Sequence, residues 1–132
     1  MSFDAQAIFA NLAEKERLKG HHSPEGLAIR VLSRALTGWS SGDLSPIDVI
    51  VLCDQAVQDW LKARLKRSPW SLPSMPALLA AAIRKNFITR MEAVRLQKLR
   101  NLRAGSEREQ PVGKNEAEST LEFCIQLIEK HW

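Results

Sequence analysis

Helix-start signals divide this 132-residue chain into segments, and they constrain its fold more than any other feature. Ser45-Pro46-Ile47-Asp48 sets an oxygen cap, a fixed φ and a first-turn acid in order. Thr89-Arg90-Met91-Glu92 has the spacing of a capping box, in which the threonine oxygen and the glutamate each satisfy a backbone N–H. Ser23-Pro24-Glu25 opens another helix in the same way, and Asn115-Glu116-Ala117-Glu118 reads as the start of the last. Behind each signal the apolar residues recur at three and four, the period of one helix face.

The predicted helices run from about Asp4 to Lys19, from Ser23 to Gly38, from Ser45 to Arg67, from Ala77 to Lys85, from Thr89 to Ala104 and from Asn115 onward. Gly20 and Gly38 are read as stops, and Asn86 as a left-handed end. The expected apolar faces are Leu27, Val31, Leu32, Ala35 and Leu36 in the second helix, and Ile47, Ile50, Val51, Val57, Leu61 and Leu65 in the third. Leu121, Cys124, Ile125 and Ile128 form that of the last. "SPWSLPSMP" breaks the chain after the third helix, and "GSEREQPVGK" is a polar loop. No Asn-Gly or Asp-Gly hairpin signal and no sustained alternation argue for strands. The expectation is one all-α domain over residues 1–132, an antiparallel up-and-down bundle of five to six helices.

An apolar share of 45% is enough for a core, and no apolar run has the length of a membrane span, so a soluble, cytoplasmic protein is expected. Cys53 and Cys124 lie far apart inside apolar helical patterns and are expected to be reduced, buried and inert. The net charge of +4 hides an asymmetry. Trp60 to Arg103 holds eleven Lys or Arg and a single acid, Glu92, so the rest of the chain is net acidic. Such a division points to a polyanion partner, or to an acidic complement within the fold or a dimer.

The three histidines, His21, His22 and His131, lack a second ligand at helical spacing, and there is no Cys-x-x-Cys, so no metal is expected. The scattered glycines make no phosphate loop, and no cofactor is implied. Two charges interrupt apolar stripes. Asp54 follows Ile50 by four, and Arg95 falls four after Met91 and four before Leu99. A buried charge needs a partner, which predicts a pair between Asp54 and either Arg95 or Arg100. Lys62, Arg64, Lys66 and Arg67 close one helix, and Arg84, Lys85 and Arg90 surround the next turn, with Trp60, Trp70 and Phe87 beside them. A face of this kind holds phosphates without reading bases. Trp60, spaced with Val57 and Leu61, is expected in a core or interface.

"MEAVRLQKLRNLRAG", followed by a loop and the acid-capped "NEAESTLEFCIQLIEKHW", resembles the C-terminal half of HEPN-superfamily proteins. These are small helical bundles of bacterial toxin–antitoxin, defence and RNA-processing systems. The resemblance covers about residues 45–132, with "VIVLCDQAVQDWLKARLK" as the long preceding helix and the helices of residues 4–36 packed onto it. It implies that Arg100-Asn101 is the motif step, that Asp54 supports it, and that a homodimer sets the motif helices face to face. The family's motif continues to a histidine four to six residues after the arginine. Counted from Arg100 those positions are Gly105, Ser106 and Glu107; from Arg103 they are Arg108, Glu109 and Gln110. The one Arg-x4-His, Arg17 to His22, falls in the first helix and its loop.

Metal-independent RNA cleavage needs a group that titrates near neutral pH to take the 2′-hydroxyl proton. Arginine stays charged and stabilises phosphate instead. The expectation is therefore a non-catalytic binding or interaction module, homodimeric, in a bacterial defence or regulatory system. RNA or a partner protein would be held through Arg100, Asn101, Arg103, Arg95, Lys66 and Arg67, with Asp54 in support. One alternative is a ribonuclease with an atypical base, such as His22 or Glu107 from a neighbouring subunit. The other is a protein-binding adaptor with no nucleic-acid role, which requires an exposed apolar patch.

Overall fold

The computed structural model describes residues 4–67, 74–105 and 112–131. Trp70, Glu107 and the other positions from Ser106 to Gln110 lie outside the described residues, as do most of the two expected breaks. Within the described residues there are six helices and no strand: α1 Ala5–Lys19, α2 Pro24–Ser40, α3 Pro46–Arg64, α4 Met75–Arg84, α5 Arg90–Ala104 and α6 Lys114–Lys130. The protein is an all-α bundle.

The cap signals hold where an oxygen-bearing side chain leads the helix. Ser45 and Asp48 form a complete capping box, and so do Thr89 and Glu92. Ser23 accepts from the Gly26 N–H at 3.0 Å, and Asp4 caps α1. The expected last start is corrected: α6 begins at Lys114 behind Gly113, and Glu116 accepts the Gly113 N–H at 3.3 Å. α4 begins at Met75, not Ala77, because Ser74 caps it and Pro76 fits its first turn, where a missing N–H costs nothing.

Two helix ends depart from expectation for opposite reasons. α3 stops at Arg64 rather than Arg67. Lys66 takes the left-handed φ of 56°, its N–H bonds the Ala63 carbonyl, and the Arg67 N–H bonds the Lys62 carbonyl at 2.8 Å. This is a Schellman end built without glycine, so composition does not announce it. Asn86, at φ 61°, ends α4 in the same way and as expected. α2, by contrast, runs through Gly38 to Ser40. A Cβ at Gly38 would lie 2.5 Å from Leu44, so the glycine admits a close approach instead of stopping the helix.

α3 is the centre of the packing and touches α2, α4, α5 and α6, while α1 packs on α2. Buried side chains from all six helices form one cluster, with Leu12, Ile29, Leu32, Ile50, Trp60, Leu78, Leu96, Leu121 and Ile128 among the most enclosed. The expected faces shift in rotation. On α2, Ile29 is buried and Leu27 is exposed. On α3, Val49, Cys53, Ala56 and Trp60 join Ile50, Val57 and Leu61, while Ile47, Val51 and Leu65 are half-buried. Trp60 lies in the core, as its spacing implies. Cys53 and Cys124 are buried and reduced. Their mutual hydrogen bond, burial and nearby Asp54 push the Cys53 thiol up, which opposes thiolate chemistry.

Gly26 provides a direct check of this packing. Glycine to alanine inside a helix ordinarily gains up to about 1 kcal/mol. Here an added Cβ would stand 2.1 Å from the Gly20 carbonyl oxygen, which also accepts the Ser23 N–H and hydroxyl. Gly26→Ala is expected to destabilise by about 1–3 kcal/mol in urea unfolding, reversing the propensity order. A variant as stable as the parent would mean that the turn before α2 yields freely.

Candidate functional site

The carboxylate of Asp54 is fully enclosed on the face that α3 turns toward α5. Arg100 and Arg103, one turn apart on α5, each donate from Nη1 to its Oδ2, at 2.8 Å and 2.7 Å. The arginine side chains remain 37% and 31% exposed, so each carries its charge from the interior to the surface. Asp54 Oδ1 is buried and has no hydrogen-bond partner among the described residues. The expected pair exists with Arg100, and Arg103 joins it. Spacing from Arg100 by three, on one helix face, was the signal that would have found it.

Arg95 is not a partner of Asp54. Its guanidinium carbon sits 3.8 Å from the centre of the Phe123 ring, on the exposed side of α5. The stripe Met91–Arg95–Leu99 is therefore corrected: Met91 is 76% exposed, and the buried line is Ala93, Leu96, Leu99 and Leu102. Asn101 is exposed and accepts from Gln97 at 3.1 Å, apart from the Asp54 cluster.

A second constellation stands at the C-terminal end of α3. Arg64 Nη2 donates to the His131 carbonyl at 2.7 Å, and its guanidinium lies over the rings of Trp60 and Phe87, at 5.7 Å and 5.5 Å. The His131 Nε2 lies 2.9 Å and 3.2 Å from the two oxygens of Glu92, and Lys130 Nζ is 3.2 Å from one of them. Burial works to raise the Glu92 carboxyl, but the Thr89 N–H, His131 and Lys130 outweigh it and hold it below the ordinary glutamate value. Sequence reading passed over Glu92 and His131 as a pair, since 39 residues separate them.

These contacts set directions. Asp54 meets the C-terminal half of α5, whereas Arg64 meets Phe87, just before α5 begins, so α5 runs opposite to α3. Asp54 and Arg64 stand ten residues apart, about 15 Å along the helix. Lys66 and Arg67 are exposed beyond Arg64, so the structure separates them from Arg100 and Arg103. The histidines are at the Arg64 end too. His131 is bound there, and His22 adjoins Pro24, which lines a small hollow with Asp59, Lys62 and Arg67. Among the described residues Arg100 makes no contact with a histidine; its partner is Asp54.

Among the described residues no group of three His, Cys, Asp or Glu is placed to hold a metal, and no helix is long and apolar enough to cross a membrane. Comparison with protein-family models, with curated proteins and with solved structures gives no match.

The shared carboxylate makes the arginines partly redundant. Arg100→Ala or Arg103→Ala alone leaves Asp54 with one cation and should cost about 1–2 kcal/mol. The double variant leaves a buried charge without a partner and should cost about 3–5 kcal/mol, more than the sum of the singles. Additive losses in thermal or urea unfolding would refute the shared pairing. Glu92 supplies the pH check. A carboxyl held low adds stability that is present above its unfolded-state value and lost as pH falls through its folded value. Glu92→Gln should therefore reduce stability near neutral pH and flatten the acid-side decline; parallel curves for parent and variant would contradict the arrangement.

Proposed function

We propose that this chain is a non-catalytic, HEPN-like helical module that holds single-stranded RNA by its phosphates, in a bacterial defence or regulatory setting. The observation that carries this reading is the seat of Arg64 over Phe87. It joins the end of α3 to the turn between α4 and α5, and so gathers exposed Lys66, Arg67, Arg84, Lys85 and Arg90 at one end of the bundle. Cations near the C-termini of α3 and α4 are favoured by the helix dipole, worth roughly 0.3–1 kcal/mol each. Arg90 stands at the first position of α5, where the dipole disfavours it, and none of the five has an acidic partner among the described residues. A polyphosphate strand supplies what the fold does not. Arg100 and Arg103 act in this reading mainly by fastening α5 to α3.

A second reading rests on Met91 and Val94, 76% and 67% exposed and one turn apart on α5. They suit a protein contact, a second copy of the chain included.

Labelled single-stranded RNA, incubated with the protein in chelator, tests both. Binding is expected without cleavage on a denaturing gel, with affinity falling steeply as salt rises because condensed counterions are released. Lys66→Glu with Arg67→Glu should weaken it more than Arg100→Ala. Cleavage that disappears in Arg100→Ala would establish a nuclease instead. Absence of binding at low salt would favour the protein contact, and sedimentation of the parent against Met91→Lys with Val94→Lys would then decide it.

A further inference from the structure

We infer that the cleft between α5 and α6 is a site for one nucleotide unit, with the base on Arg95 and the phosphate on Lys98. This rests on no residue of the basic end. The cleft has a volume of about 350 Å³, within the size range of small-molecule sites, roughly 300–1,000 Å³. Leu99, Leu102 and Phe123 make its apolar floor, Ser119 and Thr120 bring hydroxyls from α6, and Asn115 and Glu116 line it at the start of α6, where the Glu116 carboxylate also accepts the Gly113 N–H. Arg95 is the central element. Its guanidinium carbon lies 3.8 Å over the centre of the Phe123 ring, and the side chain is exposed, so a second flat partner can reach the planar group from solvent. Nucleic-acid bases stack on arginine planes held in this way. Lys98, one turn further along α5 and exposed, supplies a compact charge for a phosphate.

Neither cation has an acidic partner among the described residues, which sets them apart from Arg100 and Arg103 on the same helix. The hydroxyls of Ser119 and Thr120 match the sugar and the base edge in donor and acceptor type. Ring, phosphate and sugar together define a nucleoside monophosphate unit. Its source is either a free mononucleotide or an unpaired nucleotide of a strand.

The test is calorimetric titration of the full chain with adenosine monophosphate and with adenosine, at low salt. The monophosphate should bind at least about tenfold more tightly than adenosine, since one charge-assisted phosphate contact is lost in the nucleoside. Lys98→Glu, on an exposed position, should retain the parent's dichroism spectrum and lose about tenfold or more in affinity for the monophosphate. Arg95→Lys keeps the charge but removes the planar face, and should weaken both ligands about equally. Lys66→Glu with Arg67→Glu should change monophosphate affinity by no more than about twofold, because screening isolates distant exposed charges. That comparison separates failure of this site from failure of the basic end.

A short single-stranded oligonucleotide that displaces the monophosphate would place the strand in the cleft; one that binds without displacing it would make the cleft a site for the free nucleotide. No measurable binding of the monophosphate at millimolar concentration would overturn the proposal. So would equal affinity for adenosine, or a Lys98→Glu variant that binds like the parent.

Discussion

The enclosed carboxylate of Asp54 is the interaction on which the arrangement of α5 depends. A charge at that depth is tolerated only while it is paired. Both available cations come from α5, and both reach the same oxygen. The register of α5 along α3 is thereby fixed, since a slide by one residue would carry both guanidinia away from Oδ2. Apolar packing alone specifies this less sharply: the buried line of α5 is only Ala93, Leu96, Leu99 and Leu102, and its outer face carries Met91 and Val94 in solvent.

A second fastening acts at the opposite end, and its chemistry is different. Arg64 binds a backbone carbonyl and two ring faces, and Glu92 both completes the cap of α5 and receives Lys130 and His131 from α6. One glutamate thus starts one helix and anchors the end of another. Between these two ends Arg95 of α5 lies on the Phe123 ring of α6. The cleft beside that contact follows from two helices tied at their ends to a common neighbour, α3.

Local signals were legible in the sequence wherever one short segment decides the outcome. Ser45 with Asp48, Thr89 with Glu92, and left-handed Asn86 could all be read from four or five residues. Rotation of a helix about its axis could not, because it is decided by partners distant in sequence. Hence Arg95 and Met91 read as part of a buried stripe, and Leu27 as part of a face, yet all three point outward. Of the candidate site residues, Asp54 was identifiable as a charge out of place among apolar neighbours, and Arg100 as one of two answers to it. Arg103 as a second partner of Asp54 was not foreseen, although its spacing of three from Arg100 signals it, and the Glu92–His131 contact was not, since 39 residues separate the two.

The division of charge along the chain takes on a definite meaning in the fold. The acids of α1 and α2 pair with cations of the same two helices: Glu14 with Arg17, Glu16 with Arg30, Glu25 with Lys19; the His21 ring in the turn between them also meets Glu16. They are not arranged as a complement to the basic segment. Within that segment the cations take different fates. Arg100 and Arg103 are met by Asp54, Arg64 by a carbonyl and two rings, and Arg95 by a ring that leaves its charge intact. Lys66, Arg67, Arg84, Lys85, Arg90 and Lys98 remain exposed. Self-repulsion among such charges opposes folding, and it is relieved when an anion neutralises them. The fold thus uses its enclosed carboxylate for helix register and leaves these six cations in solvent, and it is on them, not on Arg100 and Arg103, that the proposed phosphate contacts rest.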